Sequence, residues 1–223
     1  MGITERRERE KNERRRAILN CARELILEHG VERVNMEEVA RKAELSKATV
    51  YLYFPGKDVI LQEIREEAAK DFLDHIKPFA ETGLTGIKAL KYFWRGYVEL
   101  FGNSDEMIIV FKLHNFFNPG NPFVSMEGQS KSQYDDAIIA IIKTVIDQCK
   151  AEGTFDSNLD SNMATQLLLS IFSNAVDKAA GMTAEARRSP AFLDEMIKAF
   201  QIIIYGFARE AIDRSDLDIV NIH

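Results

Sequence analysis

Residues 45–54 read LSKATVYLYF, and two incompatible structures fit those letters. From Thr49 to Phe54, polar or aromatic residues (Thr49, Tyr51, Tyr53) alternate with apolar ones (Val50, Leu52, Phe54), the period of a half-buried strand. Read from Ser46, the same letters form a short helix behind a serine cap, with Lys47 and Tyr51 one turn apart. The choice decides whether the chain is a mixed fold or a helical one.

The flanking residues favour the helix. Leu45 and Val50 occupy the N′ and N4 positions of a hydrophobic staple around the Ser46 cap. Just upstream, Val34-Asn35-Met36-Glu37-Glu38-Val39 repeats the arrangement. Asn35 can cap the amide of Glu38, Glu38 can reach back, and Val34 can staple to Val39. That helix runs to about Ala43, so only Glu44 and Leu45 separate the two. A strand at 49–54 would have no partner strand anywhere in the chain and would leave its edge unpaired. As a helix, the segment turns Val50 and Phe54 inward and presents Lys47, Ala48, Thr49 and Tyr51 outward; Leu52 is read as core beside Val50 and Phe54.

The rest of the chain also reads helical. Residues 13–29 are amphipathic, with Ile18, Ala22, Leu25 and Ile26 on one face and Gly30 as the residue that ends the helix. Pro55-Gly56 breaks the chain, and a new helix starts near Lys57 and runs until Pro78 approaches. Further helices are expected at about 84–101, 104–117, 130–152, 160–180 and 190–213. The segment 118–130, NPGNPFVSMEGQS, is a long loop, and the tail from Ser215 has no amphipathic period. The fold class is all-α with about nine helices, divided into residues 1–56 and 57–223.

Charge follows the same division. Overall the 223 residues carry a net −6. Residues 1–57 hold 13 Lys+Arg against 10 Asp+Glu, and the remainder 16 against 25. A small basic module on an acidic body is the implied organisation. Two cysteines, Cys21 and Cys149, are too few for a disulfide framework and read as reduced core residues rather than redox sensors. The start, MGITERREREKNERRR, lacks an apolar core for secretion. AIIAII at 137–142, among the longest apolar runs, is far short of the ~20 residues that span a bilayer. A cytoplasmic protein with no membrane association is expected. Nothing points to catalysis: there is no nucleophile elbow, P-loop or HExxH, and His29, His75, His114 and His223 lack metal-ligand spacing. No catalytic residue, metal site or cofactor is assigned.

Two short helices joined by a tight turn, behind a longer supporting helix, form a helix-turn-helix, whose second helix enters the major groove of DNA. Residues 14–61 resemble the DNA-binding domain of the TetR family of bacterial transcriptional regulators. The resemblance is carried by the helix ending in LEHG, the block MEEVARKAELSKATVYLYF, and Lys57 just after it. It covers about the first quarter of the chain; beyond that, only length and the helical layout agree. In this frame Lys47 and Ala48 are placed for base edges, the cation for guanine and the methyl for thymine. Ser46 and Thr49 offer hydroxyls to phosphate or base, and Tyr51 and Tyr53 offer phenols to the backbone. Tyr53 lies where the family often has His. Lys57 adds charge to a helix N-terminus, and Asn35, where relatives often carry Thr, caps, touches phosphate, or both. The extension TERREREKNERRR is either a solvated helix, with Glu5/Arg9 and Glu10/Arg14 pairs, or a basic arm on DNA.

The acidic body carries broad apolar faces. In a TetR-like C-terminal domain this region would enclose an effector cavity; Trp94, Tyr97, Phe111 and His114 are candidate lining residues, and the effector is expected to be small and apolar or aromatic. The helices at 160–180 and 190–213 are apolar over a wide arc. As the resemblance implies, they would pair with symmetry mates in a four-helix bundle through Leu168, Phe172, Ala175, Phe200, Ile204, Gly206 and Phe207. The sequence therefore reads as a homodimeric regulator, a repressor released from a palindromic double-stranded DNA operator by its effector. An activator or an effector-independent repressor fits the same residues. So does a helical small-molecule-binding protein whose N-terminal module is not used on DNA.

Overall fold

The computed structural model describes residues 3–81, 83–103, 105–117 and 132–209, with most of their side chains. Its helices are α1 (Ile3–His29), α2 (Met36–Lys42), α3 (Lys47–Tyr53), α4 (Lys57–Glu81), α5 (Gly86–Asn103), α6 (Asp105–Phe117), α7 (Asp135–Ala151), α8 (Ser161–Ala180), α9 (Ala184–Arg187) and α10 (Pro190–Phe207). A 3-10 turn at Val31–Arg33 links α1 to α2. Among the described residues, the only β-type pairing is an isolated antiparallel bridge between Phe155 and Ala208. The fold is all-α, and residues 49–54 are helical through Tyr53. No helix among the described residues is long and apolar enough to cross a membrane. The loop at 118–130 and the tail from Ser215 lie outside the described residues.

The helix boundaries differ from expectation where local rules compete. The helix expected from residue 13 begins at Ile3, so the Arg/Glu-rich extension is itself helical. Arg6–Glu10 and Arg9–Glu13 pair one turn apart, with arginine leading. Pro78 does not stop α4, which ends within a turn beyond it; that near a helix end, a proline sacrifices one ladder bond rather than a run of them. The final helix stops at Phe207, because Asp156 donates its amide to the Phe207 carbonyl and Arg209 donates to Thr154.

The chain forms two compact units, Met1–Ala68 and Ala69–His223. The division falls inside α4 rather than at its start, since Ile60, Leu61 and Ile64 are fully buried and Glu63 and Glu67 pair with Arg15 and Arg23 of α1. The apolar stripe of α1 is buried as its spacing requires: Ile18, Ala22, Leu25 and Ile26 are at most 2% exposed. Gly30, just beyond, has φ 82 and ψ 163, a region open essentially to glycine alone.

The second unit is centred on stacked rings. Trp94 of α5 lies parallel to Phe200 of α10, centroids 4.5 Å apart and planes within 8°. It also stacks on Phe172 of α8 at 5.0 Å and on Tyr97 at 5.5 Å. Such pairs each add roughly 0.5–1.5 kcal/mol to the area they bury. The Tyr97 hydroxyl donates to the Phe172 carbonyl at 3.0 Å, and burial pushes its pKa well up. Beside them, α5 approaches α7 so closely that a Cβ on Gly86 would lie 2.6 Å from the Cys149 nitrogen. Cys149 is itself fully buried, and desolvation pushes its thiol pKa far up, which suits a packing residue rather than a redox sensor.

This packing corrects the interface reading of the last two long helices. Leu168, Phe172, Phe200, Ile204 and Phe207 are at most 6% exposed within a single chain. Their side chains fill the core of their own unit. The wide apolar arcs have an internal cause: α8 packs against α6, α7 and α10, and a helix with several neighbours must be apolar on several sides. Ala175 is half-buried and Gly206 exposed. What α8 and α10 leave uncovered is Met163, Leu167 and Ile202, the last 70% exposed.

Candidate nucleic-acid interface

The short helices α2 and α3 are too brief to be stable alone and are fixed at their ends. The Asn35 side chain accepts from the amides of Glu37 at 3.1 Å and Glu38 at 2.9 Å. The Ser46 hydroxyl accepts from the Thr49 amide at 3.0 Å. Each such cap is worth about 1 kcal/mol. Between them, Leu45 donates its amide to the Ala40 carbonyl at 2.9 Å and Glu44 donates to Arg41 at 3.2 Å. That is the Schellman closure of a helix, and it places Glu44 at φ 55, where glycine is the usual occupant. These bonds set the angle at which α3 leaves α2.

Two ion-pair clusters hold the helices onto α1. The Arg15 guanidinium donates to the Tyr53 carbonyl at 2.9 Å, engages both carboxylate oxygens of Glu63, and lies 4.2 Å from the centre of the Phe54 ring. A single fork thus ties the end of α3 to α1 and α4. Lys42 of α2 contacts Glu28 at 2.8 Å and Glu24 at 3.0 Å on α1. Its pKa is raised chiefly by the Glu28 hydrogen bond, and the same bond lowers that of Glu28.

With the helix fixed, its faces separate. Val50 and Phe54 are completely buried, while Ser46, Lys47, Ala48 and Tyr51 are exposed and Thr49 and Tyr53 half-buried. Leu52, expected in the core, is 85% exposed. At about 100° per residue it lies some 200° from Val50, on the far side of the helix; the strand-like alternation in the sequence misplaced it. An open groove of about 1020 Å³ brings Asn35, Lys47, Tyr51 and Lys57 together. Ser46, Ala48, Thr49 and Tyr53 do not line it. The hydroxyls of Ser46 and Thr49 lie 2.7 Å apart and hydrogen-bond to each other.

The groove also contains residues that sequence reasoning passed over. Arg33 and Arg41 add two guanidinium groups, and Glu32, Glu37 and Glu38 add three carboxylates. The Lys47 ammonium stands 3.9 Å from Glu37, both side chains more than half exposed, so this pair is weak and readily exchanged. Arg41 is exposed on α2 one turn after Glu37, a helical spacing visible in the sequence. Arg33 belongs to the 3-10 turn, which no periodicity marked.

Of the effector candidates, Trp94 and Tyr97 belong to the ring stack of the second unit, where they are 0% and 1% exposed. The side chains of Phe111 and His114 lie outside the described residues. Against α5, Ile76, Ala80, Phe93, Ile142 and Val145 border an apolar void of about 10 Å³, room for at most one water.

Residues 18–64 match the family model described as bacterial regulatory proteins, tetR family. This N-terminal segment matches the TetR family. The match coincides with the capped helices and the groove just described. An uncharacterized HTH-type transcriptional regulator of Bacillus subtilis, YvdT, is 35% identical over 60 residues, 27% of this chain. That match spans about a third, 31%, of the relative's own length. The fold extends further. The structure of the fatty acid degradation regulator FadR from Bacillus halodurans aligns with a TM-score of 0.67 at 18% identity, covering 88% of this chain and 97% of its own. A gamma-butyrolactone receptor aligns with a TM-score of 0.65 at 14% identity, covering 94% and 95%.

Proposed function

We propose that this chain is a homodimeric, DNA-binding transcriptional repressor of the TetR family, released from a near-palindromic operator by a small-molecule effector. The observation that carries the proposal is the groove that gathers Asn35, Lys47, Tyr51 and Lys57 beside a doubly capped, outward-facing α3. Cations and a phenol at the mouth of an open groove suit phosphate and base edges. The surrounding carboxylates limit attraction to arbitrary DNA and favour a partner that fits. Lys47 faces base edges; Tyr51, Lys57, Arg33 and Arg41 face phosphates.

A second copy would dock through what the last helices leave open. Met163 and Leu167 on α8 are one turn apart and exposed, as are Ile202 and Gly206 on α10. A Cβ on Gly206 would meet nothing within 4 Å, which leaves room for a second helix. In such a dimer two α3 helices enter successive major grooves about 34–36 Å apart. The effector would stabilise a state in which that spacing no longer fits, with α4 as the lever. A small, largely apolar effector agrees with the apolar interior of the second unit, and a gamma-butyrolactone receptor shares its fold.

Electrophoretic mobility shift on duplexes selected by the full-length protein tests the reading. Lys47→Ala with Tyr51→Ala should abolish specific binding and leave the dimer intact in sedimentation. Retained specific binding by that double variant would show that the reading face lies elsewhere.

A further inference from the structure

The geometry points to Leu52 as a base-reading residue: an apolar contact for the C5 methyl of thymine in the major groove. The assignment rests on the DNA-binding reading above. It begins from an anomaly. Leu52 is the most exposed of the large apolar side chains on the described surface, at 85%, yet it sits in a helix whose opposite side is completely buried. Val50 and Phe54, one turn apart, form the buried stripe. Ala48 and Leu52, also one turn apart, are offset from that stripe by two residues and so form a second stripe on nearly the opposite side. A helix lying in a groove with Val50 and Phe54 toward its own domain therefore carries Ala48 and Leu52 deepest into the groove.

What surrounds the stripe identifies its occupant. Lys47 and Tyr51 flank it and belong to the cation-bearing groove formed with Arg33, Arg41 and Lys57. Four cations against three carboxylates leave this groove with a small positive excess, which suits an anionic duplex held by fit as well as by charge. The Ser46 hydroxyl caps the Thr49 amide and bonds to the Thr49 hydroxyl, so part of the hydrogen-bonding capacity of both is turned inward along the helix. Sequence discrimination then falls chiefly to Lys47 and to the apolar stripe. Of the groups that bases present in the major groove, the thymine methyl is the apolar one. Leu52 and Ala48 thus select T·A pairs at the positions they face, and Lys47 selects guanine nearby.

The test is parallel selection from a random duplex library with the full-length wild type, Leu52→Ala and Leu52→Gln, followed by titration of the enriched duplex carrying thymine or deoxyuridine. The position is exposed, so both variants should retain the wild-type far-UV circular dichroism and dimer mass. In the wild-type motif, at least one fixed T·A pair in each half-site should lose its preference in both variants. Replacing that thymine by deoxyuridine, which removes only the methyl, should weaken wild-type binding about fourfold per half-site. Leu52→Ala should bind the two duplexes equally. An unchanged thymine preference in Leu52→Ala, or equal wild-type affinity for thymine and deoxyuridine at every fixed pair, overturns the assignment. If Lys47→Ala with Tyr51→Ala still loses binding in that case, DNA recognition stands and only Leu52's part falls. If the wild type enriches no motif at all, both fall together.

Discussion

In the N-terminal unit each end of the short helices has a directional partner: Asn35 and Ser46 at their starts, the Leu45 amide closing α2, and Arg15 on the carbonyl that ends α3. In the C-terminal unit the centre is a set of rings in face-to-face contact, Trp94 against Phe200, Phe172 and Tyr97. The two kinds of cohesion do different things. Hydrogen bonds and forked ion pairs fix angles, which a reading head needs if its side chains are to meet a rigid duplex in register. Ring and aliphatic contacts are strong but weakly directional, so helices built on them can shift while staying packed. On the proposed function, a unit that holds one shape and a unit that accommodates more than one would differ in this way.

The largest effect that would break this comparison is in the second unit. Phe200→Ala removes the ring that lies flat on Trp94 and should cost about 3–5 kcal/mol. The chain has a single tryptophan, so Trp94 fluorescence in a urea titration follows that unit directly. Its midpoint should fall sharply. An unshifted Trp94 transition would mean that the stack is not what holds the second unit together.

Arg15→Ala is the corresponding perturbation of the first unit. The guanidinium is about a third exposed, so the loss is moderated by solvent: about 1–2 kcal/mol for the bonds to Glu63 and the Tyr53 carbonyl. Amide hydrogen exchange at residues 46–54 should quicken, while the Trp94 transition stays near its wild-type midpoint. Arg15→Lys keeps the charge but not the fork and should recover less than half of the loss. Complete rescue by lysine would show that charge alone, and not geometry, seats α3.

These differences also explain what was legible in the sequence. Caps, staples and the two-residue turn are local patterns with few alternatives, so Asn35, Ser46 and the helical state of residues 47–53 could be read directly. The groove was half legible: Asn35, Lys47, Tyr51 and Lys57 follow from their positions on α2, α3 and α4, whereas Arg33 enters through an unmarked 3-10 turn. Alternation along residues 49–54 points Leu52 inward, whereas the phase of a helix with Val50 buried points it outward. In the second unit the sequence showed which helices were apolar over a wide arc but not which neighbour each arc meets. The sequence points Phe200 and Ile204 to a partner chain, whereas the rings around Phe200, Trp94 and Phe172, lie about 106 and 28 residues from it in the same chain. Long-range packing of that kind leaves no local period.

The smallest effect concerns the turn that sets the angle between α2 and α3. Glu44 is the one non-glycine residue with positive φ among those described, at φ 55, in a position that glycine occupies without strain. A left-handed conformation costs an ordinary residue about 1–2 kcal/mol, and glycine gives back about 0.5–1 kcal/mol through its freer unfolded chain. Glu44→Gly should therefore stabilise the first unit by about 0.5–1 kcal/mol. Glu44→Ala, which removes the carboxylate but keeps a Cβ, should not. Protection of the α2 and α3 amides in hydrogen exchange would register the difference without disturbing the Trp94 signal. Stabilisation by both variants alike would trace the effect to the charge. Destabilisation by glycine would mean that the turn relies on the stiffness of a side-chain-bearing residue more than it suffers from its strain, and the directional account of this unit would then need a rigid hinge where it now has a strained one.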